Sequence, residues 1–449
     1  MPYEGEFAGY RPLQRIVETE RVQQLLRRSR VYQPNQGNGV TVVPQKAPAV
    51  SVPFPGYVVA IDGSNAEVDV KNGYPGAKIG YCTVASVLLN VAEMARLDQQ
   101  RPVDPAEFRK TEEASTVDAA LPGSNVVTRT NPSARDSFRE SLYEVLHDVV
   151  VDQDDGSRLL DTYEALLKLK PQARGQACPY QPNGCAEHLV VSVGVSSCVC
   201  PRKLPIYSTD ALRVHERFRD IGTNGEAFGE VRQVWERLLM VHVLRLFERQ
   251  KLLNRMDRLA FVLDGPLALF GHPAWLSAAI STELKRLNAI VRGETGRDLL
   301  ILGIEKSGEF VTHFDDLDKG EDGSSNFPPR TYFLPTDCYI KQRVVFSTSD
   351  KRYGLDTYFG RKFLYKTASG ARIVANIPFL DEAQDTLDSD DIRLYREFGA
   401  ACALLDRLAS SRFPNSVSPL ISAHAHAAIP LHLGTKVLQQ LAKALMRQD

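Results

Sequence analysis

The sequence predicts an α/β fold in which a mixed sheet is flanked by helices, and three observations carry that prediction. The run Tyr57-Val-Val-Ala-Ile-Asp-Gly-Ser64 is apolar at consecutive positions, the pattern of a strand buried on both faces. Residues 259–306 read as strand, helix, strand, a unit whose two strands lie parallel. Residues 330–378 read as β-strands, with Phe363–Lys366 and Ala371–Ile377 flanking a hairpin turn at Ser369-Gly370.

The remaining elements follow in order. Pro12–Tyr32 is helical, with apolar Leu13, Ile16, Val17, Leu25 and Leu26 among many Arg and Glu. Gln33–Pro55, rich in Pro, Gly, Asn and Val, reads as an extended linker. After the strand at Tyr57, Lys71–Ala77 is a turn and Lys78–Leu89 a second strand that runs on as helix or strand to Arg96. Gln99–Arg135 reads as a loop-rich excursion and Asp136–Val151 as a helix. A cysteine-rich module spans Cys178–Cys200. A long helix, Gly225–Asp257, leads into the strand Leu259–Asp264. His272–Arg292 is a helix, Asp298–Ile304 a buried strand and Asp315–Pro329 a polar loop. Ile392–Ala409 and Ser422–Arg447 close the chain as helical segments, the second kinked or broken at Pro430. The organisation is then residues 1–56 as helix and linker, 57–170 with 225–449 as the core, and 171–224 as an insertion.

At 449 residues the chain has room for two or three domains. Its 43% hydrophobic and 24% charged residues are ordinary for a water-soluble globular protein. No apolar run reaches the ~20 residues that span a bilayer. The N-terminal residues have neither a basic nor an apolar signal segment, so a cytoplasmic location with reduced thiols is expected. The net charge of −1, from 54 basic and 55 acidic residues, excludes coating of nucleic acid by bulk charge. Residues 202–258 lean basic, while 315–322 and 381–391 are acidic; all three read as solvated faces. No GxxxxGK[ST], no dinucleotide fingerprint and no GxSxG occurs, so any motor that moves DNA must be a separate chain.

Two apolar strands end in Asp-Gly, at Asp62 and at Asp264. A carboxylate at the edge of a core is costly unless it is partnered. Two of them point to adjacent strands presenting carboxylates to a shared metal ion. Phosphodiester hydrolysis needs one or two such ions, and hard cations take oxygen ligands. A helical acid would complete the set. Glu248 follows the apolar run Val241–Phe247 and is preferred; Glu236, in the same helix, is the alternative. In Ser422-Ala-His-Ala-His, His424 and His426 cannot share one helical face, so one points inward as a ligand or general acid-base. Lys306, after the third buried strand, is placed to hold a phosphate or orient water.

Four of the seven cysteines form Cys178-x6-Cys185-x12-Cys198-x-Cys200, flanked by Pro179, Gly184 and Pro201. Clustered thiols in a reducing compartment predict a closed, structural Zn2+ site, with His188 as substitute ligand. Cys82, Cys338 and Cys402 read as core.

These pieces together resemble the NurA nucleases. The matching segments are Ala60-Ile-Asp-Gly-Ser64, Leu263-Asp-Gly-Pro-Leu267, Gly303-Ile-Glu-Lys-Ser307, and Pro419-Leu-Ile-Ser-Ala-His424 with Ile429, in that order. The resemblance covers roughly residues 57–98 and 225–440. It implies an RNase H-like core and a Mn2+-dependent DNA nuclease (Mg2+ being the other candidate ion). It implies metal ligands at Asp62, Glu248 and Asp264, and a catalytic or ligand role for His424. It also implies a homodimer working with a HerA-type hexameric ATPase in DNA end processing or phage defence. Two departures stand out. Ser416 occupies the position of a usual Tyr, and the cysteine module is an insertion. The alternative reading is a non-catalytic DNA- or ATPase-binding subunit that keeps the fold. Nothing in the residues separates DNA from RNA as substrate.

Overall fold

A computed structural model describes residues 10–30, 42–50, 54–70, 76–94, 112–151, 156–171, 175–320, 322–381, 387–409, 416–429 and 433–445. Its centre is β2 (Tyr57–Asp69), in which Val58, Val59, Ala60 and Ile61 are all buried, as a strand covered on both faces requires. Thirteen strands are seen, nine of them in one sheet. The other eight of that sheet are β1 (Gln45–Lys46), β3 (Lys78–Asn90), β4 (Glu112–Pro122), β9 (Leu259–Asp264), β10 (Leu300–Glu305), β11 (Thr331–Phe333), β12 (Gly360–Lys366) and β13 (Arg372–Pro378). Their order is β1-β11-β12-β13-β10-β9-β2-β3-β4. β10, β9 and β2 are parallel and the other pairs antiparallel. The sheet is thus mixed, as the sequence predicts.

Helices cover both faces. α1 (Arg11–Glu18) and α2 (Glu20–Arg28) carry no buried residue among those described, and the single turn α3 (Val91–Met94) adds Val91 to the core that holds Val58 and Ala60. α4 (Ala134–Asp148), α5 (Leu159–Leu167), α6 (Gly225–Arg249) and α7 (Leu276–Thr295) share a core with Val59, Ile61, Phe261 and Leu263 on one face. α8 (Glu309–Asp318) and α9 (Asp337–Arg343) extend that layer over Leu364 and Val374. α10 (Phe398–Leu408) and α11 (Ser418–Ala427) pack on the other face against Val58, Ala60, Ala260 and Val262; α12 (Leu433–Leu445) follows. Alternate residues of each central strand feed alternate cores, the period of two that a strand imposes. No helix among the described residues is long and apolar enough to cross a membrane.

Several boundaries depart from the sequence expectation, each for a local reason. The helix predicted over Pro12–Tyr32 is two helices, because Thr19 is extended at φ −66°, ψ 114°. The presumed linker contributes β1, which pairs with β11 at the sheet edge. The presumed loop before Arg135 contains β4, an edge strand paired with β3 over Ile79–Leu89; its polar, partly exposed residues mask the strand pattern. The long helix ends at Arg249 rather than Asp257, where Lys251 takes a positive φ of 58° and the chain continues as a 3-10 turn over Leu253–Arg258. Within 330–378, α9 interrupts the strands. The closing segment is α11 and α12, with Pro430 outside the described residues.

Candidate active site

The site sits at the carboxyl end of β9 and at the point in β2 where the parallel pairing of the two strands stops, the carboxyl side of the parallel part of the sheet. β2 pairs with β9 only from Tyr57 to Ile61, in register with Leu259–Leu263. One residue later both strands carry Asp, and the parallel pairing stops. Asp62 and Asp264 share the parity of Ala60 and Val262, so they leave the sheet on the α11 face. β9 then turns away at Gly265, which has φ +77°; its N–H donates to the Ile304 carbonyl at 2.8 Å.

Two carboxylates therefore converge on one cation, which in this chain is the ammonium of Lys306. Its Nζ lies 2.8 Å from Asp264 Oδ1 and 3.6 Å from Asp62 Oδ2. Asp62 is 1% exposed, Asp264 26% and Lys306 30% at the side chain, so the cluster is open on one side. Asp62 Oδ1 accepts from the Gly63 N–H at 2.7 Å, and Oδ2 bonds His424 Nδ1 at 3.0 Å. Burial, and then the Asp264 charge, push the Asp62 carboxyl up from its ordinary 3.8 to about 6; Lys306 and His424 act in the opposite direction and Glu236 with Asp264.

The third carboxylate is Glu236. A Cβ on Gly63 would stand 2.7 Å from Glu236 Oε1, so glycine there is what lets the helix reach the end of β2. Glu67 sets the helix register. Its carboxylate accepts from Thr223 Oγ1 at 2.6 Å and from the Asn224 N–H at 2.9 Å, fixing the start of α6 beside the tail of β2. From there α6 runs back along β2 to bring the buried Glu236 over Gly63. Two arginines clamp it. Arg232 Nη1 donates to Glu236 Oε1 at 2.5 Å, and Arg237 Nη1 to Oε2. Arg237 also ties the Asp264 turn, donating to the carbonyls of Asp264 at 3.0 Å and Pro266 at 2.9 Å.

The preferred helical acid was Glu248, and the structure does not bring it to the Asp pair. It lies twelve residues further along α6, about 18 Å at ~1.5 Å per residue. There it makes a two-pronged ion pair with Arg286 at 2.6 and 2.7 Å. Beside it Arg245 pairs with Glu283 of α7 at 2.6 Å, so this part of α6 faces α7 and not the Asp pair. His424 is brought to Asp62 but keeps 60% of its side chain exposed, and His426 is exposed as well, so neither histidine points inward as the sequence expectation had it. Ser416 is buried between α10 and α11. Arg232, Arg237 and Gly63 escaped the sequence reading. The signal was present as Asp-Gly at the strand end and paired Arg residues around Glu236, but the helix register was not.

The cysteines also meet. Cys178 follows the short strand β5 (Gln176–Ala177), which pairs with β6 (His188–Leu189), and Cys185 follows Gly184 at φ +87°. Cys198 and Cys200 sit in the turn between β7 (Val195–Ser197) and β8 (Pro205–Tyr207). Sγ of Cys198 is 3.4 Å from that of Cys178 and 3.7 Å from that of Cys185. These three thiols all lie within 4.8 Å of one another, a spacing that four-coordinate Zn2+ accommodates. Cys200 is buried beside them, its N–H 3.5 Å from Cys198 Sγ. His188 is exposed on β6. Cys82 and Cys402 are buried as expected, whereas Cys338 is exposed.

Three solved structures resemble this one at low identity. The NurA nuclease from Sulfolobus solfataricus is 12% identical, with 91% of this chain and 87% of that one covered and a TM-score of 0.28. A second NurA structure is 11% identical, with 89% and 90% covered and a TM-score of 0.28. A NurA structure with manganese is 10% identical, with 96% and 95% covered and a TM-score of 0.24. No curated protein matches the chain. The NurA domain pattern matches residues 56–429, which hold both strand-end aspartates, Glu236, Lys306 and His424, and the chain therefore belongs to the NurA domain family.

Proposed function

We propose that this protein is a divalent-metal-dependent deoxyribonuclease that hydrolyses phosphodiester bonds. The observation that carries the proposal is the convergence of Asp62 and Asp264 on a single cation position, now spanned by Lys306 Nζ. The donors are carboxylate oxygens, and the Glu236 charge acts on Asp62 from the neighbouring helix; oxygen donors suit Mn2+ or Mg2+. Asp62, Asp264 and Glu236 would hold the ion, and when bound it supplies charge neutralisation and an acidified water.

The rest is done by the chain's own residues. Lys306, 30% exposed, moves from the carboxylates toward the substrate phosphate, where an ammonium pairs with an incoming anion. His424 is held by Asp62 through Nδ1, which fixes the ring and leaves Nε2 to exchange a proton with water or the leaving oxygen. Arg237 keeps the Asp264 turn in place, and Arg232 fixes Glu236.

The proposal includes an RNase H-like core, a homodimer, and a HerA-type hexameric ATPase partner that moves DNA to the site in end processing or phage defence. It also includes a structural Zn2+ held by Cys178, Cys185, Cys198 and Cys200, supported by the clustered thiols. Metal analysis of protein purified without chelator is expected to give one zinc per chain, lost in Cys198→Ser.

The deciding experiment is cleavage of linear single- and double-stranded DNA, and of RNA, with Mn2+ or Mg2+, with and without a HerA-like ATPase. Wild type is compared with Asp62→Ala and Asp264→Ala. Loss of cleavage in both variants supports the nuclease reading. An inactive wild type, even with the ATPase, overturns it. One observation favours a non-catalytic binding subunit: Lys306 already satisfies both aspartates. That reading expects no Mn2+ binding by calorimetry.

A further inference from the structure

Behind the end of β10 lies a second concavity of about 290 Å3 that the hydrolytic site does not use. One wall is the face of α7 that carries Ser281, Thr282 and Lys285, positions three and four apart that project together. The facing wall is the loop before β12, with Arg352 and Tyr358, and Arg361 and Lys362 line the floor. No carboxylate lines it among the described residues. The acids that answer these cations lie outside the lining. Glu305 pairs with Lys362 at 2.6 Å and Asp388 with Arg352 at 3.5 Å. The Arg361 guanidinium donates to two neutral acceptors, the carbonyls of Pro335 at 2.6 Å and Ser389 at 3.1 Å. Hydroxyl and cationic donors, with no carboxylate among the described lining residues, suit a phosphate. The volume is at the lower end of the ~300–1,000 Å3 of small-ligand sites, room for one nucleotide and not for a duplex.

The placement relates it to the carboxylates. Glu305 and Lys306 are successive residues at the end of β10, and successive strand residues face opposite ways. Glu305 meets Lys362 on the cavity side, and Lys306 meets Asp62 and Asp264 on the other. A chain lying across the strand end reaches both. We propose that this cavity binds the phosphate of one nucleotide unit, with Lys285 and Arg352 as the recognising cations at its rim. That the nucleotide comes from a DNA strand rests on the nuclease reading; the phosphate chemistry does not.

The test is binding in EDTA, where no cleavage occurs. A fluorescent single-stranded oligonucleotide and, separately, a deoxynucleoside 5′-monophosphate are titrated into wild type, Lys285→Ala/Arg352→Ala, the charge-retaining Lys285→Arg/Arg352→Lys, and Asp62→Asn. Arg352 is 46% exposed and its pair with Asp388 is a surface one, so the alanine variant is expected to fold with an unchanged melting temperature. The alanine variant is expected to bind the oligonucleotide about tenfold more weakly. Its log–log salt slope should be shallower by about 1.4, two contacts at ~0.7 each on a single strand. The charge-retaining variant should recover most of the loss, and Asp62→Asn, which removes an acid and no cation, should not weaken binding. If only the monophosphate loses affinity, the site is a nucleotide-phosphate site fed by free nucleotide. Unchanged affinity for both ligands overturns the proposal. A failed nuclease reading looks different: wild type then leaves the same oligonucleotide intact with Mn2+, whatever the rim variant does.

Discussion

Three neighbouring parallel strands carry an acid at the carboxyl side of their parallel pairing, β9 and β10 at their ends and β2 in mid-strand, and two of these positions differ from the third. Asp62 and Asp264, on β2 and β9, face each other across one shared cation, with Glu236 adding a third carboxylate. Glu305, on β10, is matched one for one. It takes the ammonium of the buried Lys362 at 2.6 Å and the amide of Asn376 at 2.8 Å, both from the antiparallel strands beside it. Lys362 also lies 3.8 Å from the Phe310 ring centre. An acid at such a position is thus not enough to set up the proposed metal site. What distinguishes the first two is that two carboxylates share one ammonium, with Asp264 26% and Lys306 30% exposed. The third is a one-to-one ion pair with a buried ammonium.

The contrast breaks first on activity. Asp62→Asn and Asp264→Asn each remove a proposed ligand, and cleavage with Mn2+ is expected to fall by about a thousandfold or more, the several kcal/mol a metal supplies to phosphoryl transfer. Glu305→Gln should keep Mn2+ affinity within about threefold, since Glu305 points away from the site. A Glu305→Gln variant that loses metal as Asp62→Asn does would erase the distinction.

Stability should respond in the reverse order. Lys362→Met leaves Glu305 buried without its cation, and breaking such a pair costs about 3–5 kcal/mol. Urea unfolding of metal-free protein measures it. Asp62→Asn should instead stabilise the metal-free protein, because Asp62 is the buried carboxylate pushed up to about 6. The native state holds that proton more tightly than the unfolded chain. Its stabilising effect is complete below about pH 4 and lost as the pH rises through about 6. At 1.36 kcal/mol per pKa unit, the loss is about 3 kcal/mol at most. Wild type and Asp62→Asn should unfold alike at pH 4 and diverge by pH 7 in EDTA. Parallel pH profiles would show that the strand-end carboxylate is not strained.

Much of this was legible in the chain. The apolar runs before Asp62 and Asp264 mark central strands; Asp-Gly ends β9 as expected, whereas β2 runs on through Gly63 to Asp69 because β3 continues to pair with it. The βαβ unit over 259–306 puts Lys306 on the neighbouring strand end. The Cys spacing announces a cluster. What stayed hidden depends on long-range register. β4 is a polar, partly exposed edge strand, so its sequence lacks the burial signal. The choice between Glu236 and Glu248 hangs on where α6 begins relative to β2, and that is set by Glu67, more than 150 residues away in the chain, gripping Thr223 and Asn224. Local hydrophobicity favours Glu248, whose neighbours serve the α6–α7 contact instead.

That choice gives the finest test of the comparison. Glu236 is buried between Arg232 and Arg237 beside the Asp pair, while Glu248 forks onto Arg286 at a partly exposed helix face. Removing the Glu236 charge should weaken Mn2+ binding by at least tenfold, or about 1.4 kcal/mol, and leave two guanidinium groups without their acid. Removing the Glu248 charge breaks an ion pair in which Arg286 is 43% exposed and Glu248 29%, worth about 1 kcal/mol or less, and leaves metal binding alone. Calorimetric titration of Mn2+ into Glu236→Gln and Glu248→Gln, each checked for its melting temperature, separates the two. If Glu248→Gln lost the metal and Glu236→Gln kept it, the carboxylates gathered around Gly63 would not be what holds the ion. The two kinds of strand end would then differ in packing only. The expected result puts the difference in charge, because Glu236 reaches the site through the space that Gly63 leaves empty.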